Sequence, residues 1–259
     1  MARSPTKASQ EGFVRSVTLV REQVASFDKY PFSIPAIRNL HTLELHPKVT
    51  FLVGDNGAGK STLLEAIAVA AGFNAEGGSK NFRFTTRSSE SELHAALRLG
   101  RNARRERDGF FLRAESYFNV ATYIENLDRE PGRGPSVGPA YGGRSLHEQS
   151  HGESFLALAV NRLHGNGLYL FDEPEAALSP SRQLSLLKVM DTLVRTQRSQ
   201  LIVATHSPIL MSYPDARIYA LDADGIAPIE YEETEHYQIT KTFLADRSRY
   251  FKHLFSDEE

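Results

Sequence analysis

Hydrophobic and polar positions change period several times along the chain, and each change marks an element. Phe13 to Arg21 (FVRSVTLVR) alternates apolar and polar side chains, which predicts a half-buried strand, and Leu40 to Leu45 resumes the pattern. Between them the two prolines of Phe27 to Ile37 predict a loop or a sheet edge. Val49 to Val53 (VTFLV) is a near-continuous apolar run, as a strand covered on both faces should be. Leu63, Leu64, Ile67 and Ala71 then recur at helical spacing, and Gly72 stands where a helix stop is expected.

Within residues 81–117 the runs Glu92 to Leu99 and Gly109 to Ala114 read as strands on either side of the charged stretch RNARRERD, which predicts an antiparallel hairpin subdomain. Asp128 to Gly143 is too rich in glycine and proline for regular structure, so residues 128–149 are expected to form a long loop. An α/β rhythm follows: helix Gly152 to Leu163, strand Leu168 to Phe171, helix Pro180 to Thr196 and strand Leu201 to Thr205. Arg217 to Leu221 and Ile226 to Tyr231 flank a hairpin signal, Asp222-Ala223-Asp224-Gly225, and residues 236–255 predict a terminal helix. The fold class is therefore α/β: a mainly parallel sheet flanked by helices, with an antiparallel β-subdomain. Residues 13–259 are expected to form one domain behind a mobile tail at 1–12.

Composition changes this picture by exclusion. A net charge of -2 supplies no global field for nucleic acid or anionic membrane, so any such contact must be a local patch. The absence of cysteine removes disulfides, thiolate metal sites and cysteine nucleophiles together. No apolar run approaches the roughly 20 residues of a membrane span, and the first dozen residues lack the apolar stretch of a secretory signal, so a cytoplasmic protein is expected.

The candidate chemistry lies at the ends of the apolar strands. Gly54-Asp55-Asn56-Gly57-Ala58-Gly59-Lys60-Ser61 follows one strand and opens a helix. Glycines at that spacing let successive backbone N–H groups curl around phosphate oxygens, and the helix N-terminus adds positive potential. Lys60 would reach the β and γ phosphates, and the Ser61 hydroxyl would bind Mg²⁺. Leu168-Tyr169-Leu170-Phe171-Asp172-Glu173 places two carboxylates at the carboxyl end of a buried strand, the edge at which open α/β sheets bind ligands. Asp172 suits Mg²⁺ through a coordinating water, and Glu173 suits the orientation or deprotonation of an attacking water. His206, after Leu201 to Thr205, falls on the same edge. Ser150-His151-Gly152-Glu153 reads as a capping box, but a helix start with a hydroxyl, a glycine and exposed N–H groups can equally bind a γ-phosphate.

In order, GDNGAGKST, SHGES, LYLFDEPEAALSP and ATHSP resemble the Walker A, signature, Walker B with D-loop, and switch-histidine motifs of ABC-type P-loop ATPases. Compact, stand-alone bacterial ATPases labelled AAA-family, related to the chromosome-maintenance and DNA-repair branch, are the nearest likeness. The resemblance implies ATP and Mg²⁺ as ligands and a homodimer that sandwiches two ATP molecules, each between one phosphate loop and the partner's signature helix. It assigns Gly57 to Thr62 to phosphate and Mg²⁺, Asp172 to the metal, Glu173 to water activation and His206 to sensing the γ-phosphate. Ser150 and Gly152 would contact that phosphate from the opposite subunit.

Three departures stand out: alanine occurs where the D-loop aspartate would fall, His151 replaces a signature glycine, and Glu153 replaces the transporter-type glutamine. The glutamine-loop role is left between Glu115 and Asn119, and the adenine-stacking aromatic among Phe27, Tyr30 and Phe32. The expected function is ATP hydrolysis that drives a partner protein or a DNA transaction. Its alternative is an ATP-operated switch that holds a nuclease, toxin or defence effector. Arg98, Arg101, Arg104, Arg105, Arg107 and Arg113, on and around the predicted hairpin, are the candidate DNA contacts, against the plainer reading of a solvated charged turn.

Overall fold

Residues 12–80, 91–114 and 151–255 are described by the computed structural model, and their nine strands divide between two sheets. The larger sheet runs β5 (Asp108–Arg113), β6 (Gly167–Asp172), β7 (Gln200–Ala204), β3 (Val49–Val53), β8 (Ala216–Leu221) and β9 (Ile226–Ile229). Its first five strands are parallel, and β9 returns antiparallel beside β8 across the Asp222–Gly225 turn. The smaller sheet is antiparallel, with β1 (Val14–Leu19) between β2 (Thr42–Glu44) and β4 (Leu97–Arg101). The expected combination of a mainly parallel sheet and an antiparallel subdomain is what forms.

Covered faces explain the larger sheet. All five residues of β3 and all six of β6 are buried. Leu52 joins a core with helix α2 (Lys60–Ala70) and the small sheet, whereas Val49, Phe51 and Val53 join a second core on the other face. That second core takes Phe155 and Leu158 from α3 (His151–Arg162) and Leu186 and Met190 from α4 (Pro180–Asp191). Two short helices, α1 (Pro35–Arg38) and α5 (Pro208–Met211), and the terminal pair α6 (Glu235–Ala245) and α7 (Arg247–Leu254) complete the chain order.

Gln200 joins the two sheets. Its fully buried amide accepts from the Phe13 and Val14 N–H groups at 2.7 and 2.9 Å and donates to the Val14 and His46 carbonyls at 2.8 and 3.0 Å.

Several expectations are corrected. The strands around RNARRERD do not pair with one another: β4 lies antiparallel to β1 and β5 lies parallel to β6. Burial is the reason. Phe110, Phe111 and Leu112 are apolar on both faces and need the covered sheet, while Leu97-Arg98-Leu99 alternates and suits the small one. Glu92–Ala96 is a 3₁₀ turn capped by the Ser91 hydroxyl. The single terminal helix is also two, because Asp246 leaves helical geometry (φ -145°, ψ 78°) and its carboxylate caps the second by accepting from the Arg249 N–H. Likewise the helix expected to reach Thr196 passes into a π-helical turn over Thr192–Thr196. The loop at 128–149 and most of the tail at 1–12 lie outside the described residues.

Candidate functional site

Sheet register assembles the site. Leu52 of β3 and Asp172 of β6 both align with Ala204 of β7, so the chain leaves three neighbouring strands at one edge. Gly54 to Ser61, Asp172 with Glu173, and His206 therefore emerge side by side.

The phosphate loop needs its glycines. Gly54, Gly57 and Gly59 have φ of 142°, 82° and 98°, values that favour glycine, and a Cβ on Gly54 would lie 2.2 Å from the Leu221 carbonyl oxygen. At Gly57 a Cβ would meet none of the described residues within 4 Å. Asn56 is exposed and Ala58 half-buried beside it, and Ser61 and Thr62 follow Lys60 in the first turn of α2. Lys60 is buried at 3% exposure, and its ammonium donates to the Gly54 and Asp55 carbonyls at 2.9 and 2.8 Å. Burial lowers its pKa, against the opposing pull of Glu173 and Asp172.

Asp172 is 5% exposed, and burial pushes its carboxyl up to about 6 although Arg113 and a hydrogen bond from Ser61 favour the charged form. One carboxylate oxygen lies 3.3 Å from Arg113 Nε, and the other, Oδ1, is buried with no hydrogen-bond partner among the described residues. A buried carboxylate oxygen without a partner, beside a serine hydroxyl, is a donor set that fits a hard cation such as Mg²⁺. No group of three or more histidine, aspartate or glutamate side chains among the described residues could hold a metal by itself, so such an ion would draw its remaining ligands from water and substrate.

Glu173 adopts left-handed geometry (φ 48°, ψ 51°), which turns the chain sharply out of β6, and its N–H donates to the Ala204 carbonyl. Its carboxylate lies 3.6 Å from Nε2 of His206. The His206 N–H donates to Glu175, a carboxyl that burial shifts upward.

Arg113, Glu175 and His236 belong to the site although sequence reasoning did not place them there. Arg113 faces Asp172 because β5 pairs with β6 in that register, and it also binds Glu65 at 2.6 Å. His236 Nε2 lies 2.9 Å from His206 Nδ1. No spacing signal links either to the motifs. Glu175 was legible only as part of the D-loop stretch.

Among the aromatic candidates, Phe27 and Phe32 pack edge to face at 6.3 Å and Phe32 is buried, whereas Tyr30 is 69% exposed. The Tyr30 hydroxyl lies 3.2 Å from the Thr62 hydroxyl, at a cavity of about 480 Å³ shared with Ser61, Glu65 and Arg113. Gly152, in the first turn of α3, packs so closely that a Cβ would lie 2.8 Å from the Ala177 carbonyl and 2.6 Å from Arg182. Glu153 pairs with Arg182 at 2.9 Å. Ser150, Glu115 and Asn119 lie outside the described residues.

The six arginines do not make one patch. Arg113 turns into the site, Arg101 pairs with Glu106, and Arg104 binds the Asn166 side chain and the Arg198 carbonyl while stacking on Phe13. Arg98, Arg105 and Arg107 are exposed.

A family model described as "AAA domain" matches residues 26–129, and another, "AAA domain, putative AbiEii toxin, Type IV TA system", matches residues 137–212. The ABC transporter G family member STR2 of Medicago truncatula is 28% identical over 62% of this chain and 24% of its own length. The lipoprotein-releasing system ATP-binding protein LolD of Leptospira interrogans is 25% identical over 70% of this chain and 80% of its own. The DNA replication and repair protein RecF of Xanthomonas euvesicatoria is 54% identical over 41 residues, 15% of this chain and 11% of its own. The chain thus spans most of LolD but a quarter or less of the other two. In fold it is similar to CbiO1 of Clostridium perfringens, part of the ABC transporter complex cbiONQ, at TM-score 0.50 and 18% identity over 95% of this chain and 100% of that one.

Proposed function

We propose that the chain is an AAA-type ATPase with the ABC cassette fold and that it hydrolyses Mg-ATP at a site shared between two copies of itself. The observation that carries this reading is the convergence of Lys60, Ser61, Asp172, Glu173 and His206 at one sheet edge, from three adjacent strands. The backbone N–H groups of Gly57 to Thr62 and the Lys60 ammonium hold the phosphates, once Lys60 exchanges the Gly54 and Asp55 carbonyls for phosphate oxygens. Ser61 and Asp172 would hold Mg²⁺, which when bound neutralises charge developing on the phosphates. Glu173 accepts a proton from the attacking water, and His206 Nε2 donates to the terminal phosphate. Tyr30, the exposed aromatic beside Thr62, stacks on adenine. Ser150 and Gly152 act across the dimer, on the partner's terminal phosphate.

Mg²⁺-dependent ADP release tests the reading. Glu173→Gln should lower kcat by about 100-fold or more while ATP still binds, and Lys60→Ala should weaken binding and turnover together. Normal hydrolysis by both variants would sink the proposal.

A second reading is an ATP-operated switch that holds an effector or nuclease. It is favoured by Ala176 and Ala177 within the D-loop stretch, by the toxin–antitoxin wording of the family model over residues 137–212, and by Leu244, Leu254 and Phe255 exposed on and just beyond the terminal helices. ATP-dependent association with negligible turnover would select it. Direct DNA contact would fall to the exposed Arg98, Arg105 and Arg107, and affinity should then drop steeply with salt. No helix among the described residues is long and apolar enough to cross a membrane.

A further inference from the structure

His206 has a second histidine behind it. The two rings meet edge to face, with centroids 5.0 Å apart and His206 Nδ1 2.9 Å from His236 Nε2. His236 is carried by α6, and its neighbours Glu233, Thr234 and Glu235 join Gly54, Asp55 and Asn56 around a cavity of about 470 Å³. The segment is anchored to the His206 loop. The Thr234 hydroxyl donates to the Tyr231 carbonyl, and the Tyr231 hydroxyl donates to the carbonyl of Pro208, two residues after His206.

A hydrogen bond between two neutral imidazoles requires one N–H and one lone pair, so the pair has two arrangements. If His236 donates, His206 carries its proton on Nε2. If His206 donates, its Nε2 is a bare lone pair. That nitrogen is buried without a hydrogen-bond partner among the described residues and faces the Glu173 carboxylate at 3.6 Å. A lone pair facing a carboxylate is repelled, whereas an N–H is attracted, so Glu173 favours the first arrangement. We propose that His236 is a positioning residue that holds His206 in the tautomer bearing its proton on Nε2, the N–H offered to the terminal phosphate of ATP.

Burial, with the charges around them, disfavours protonation of either ring. Burial lowers the pKa of His206 first, followed by Lys60 and His236, against Glu173 and Asp55. Burial and Lys60 lower that of His236, against Asp55 and Glu235. Glu175 holds the His206 backbone from the other side. The inference rests on the ATPase reading for its purpose but not for its geometry.

¹⁵N NMR of the full chain with labelled histidine, recorded without nucleotide, reads the tautomer directly, and steady-state ATPase assays read the consequence. The expected spectrum of wild type shows His206 Nδ1 bare and Nε2 protonated. His236→Leu should lower kcat about tenfold with KM within about twofold, and His236→Gln, whose amide can donate from nearly the same place, should restore most of it. A proton on His206 Nδ1 in wild type, unchanged kcat in His236→Leu, or equal loss in the leucine and glutamine variants would overturn the proposal. An inactive wild-type chain with the expected spectrum would instead contradict the ATPase reading while upholding the pairing.

Discussion

Glu106 shows how a residue in a charged stretch can be structural. Burial alone would raise its carboxyl, but hydrogen bonds from Lys80, its own backbone and Arg101 lower its pKa to about 2. A carboxyl with a folded pKa below its unfolded value stabilises the fold above about pH 4.5, and the contribution fades as pH falls toward 2. Glu106→Gln should therefore cost on the order of 1–2 kcal/mol at pH 7, and the gap should narrow in acid. Thermal melts of both proteins across that range check this, and a constant gap would refute it. In the site itself, the residues legible in the sequence are those whose place at this edge follows from an adjacent strand end: Lys60, Ser61, Asp172, Glu173 and His206. Arg113 and His236 reach the site through sheet register and a C-terminal helix, which local spacing does not encode.

At the scale of elements, the sequence marks where strands lie better than which strands they join. Both strands around RNARRERD form, yet the short charged link suggested a hairpin, whereas the apolar faces of Phe110 to Leu112 draw β5 into the covered sheet. Gln200 is equally silent in sequence, a polar residue opening an apolar strand. Replacing it with leucine would strand the N–H groups of Phe13 and Val14 and the carbonyls of Val14 and His46 without their partner. Gln200→Leu should cost about 3 kcal/mol or more, which for a domain of this size is a melting-temperature fall of roughly 6–12 °C. A change within a degree or two would mean that the two sheets are held together without this joint.

At the scale of the molecule, parallel order explains why the chemistry gathers at one edge. Five strands run the same way, so the loops after β3, β6 and β7 open on the same side, and α6 reaches them through His236. What one copy presents is a phosphate loop, a cation-fitting carboxylate and a candidate base. On the proposed reading the missing half is a second copy's signature turn. The most direct test of that claim is the specific ATPase activity of the full chain, measured over a wide range of protein concentration at saturating ATP and Mg²⁺. A shared site predicts activity per chain that rises with concentration and then levels off as dimers fill; activity per chain that stays constant down to a demonstrably monomeric protein would contradict it.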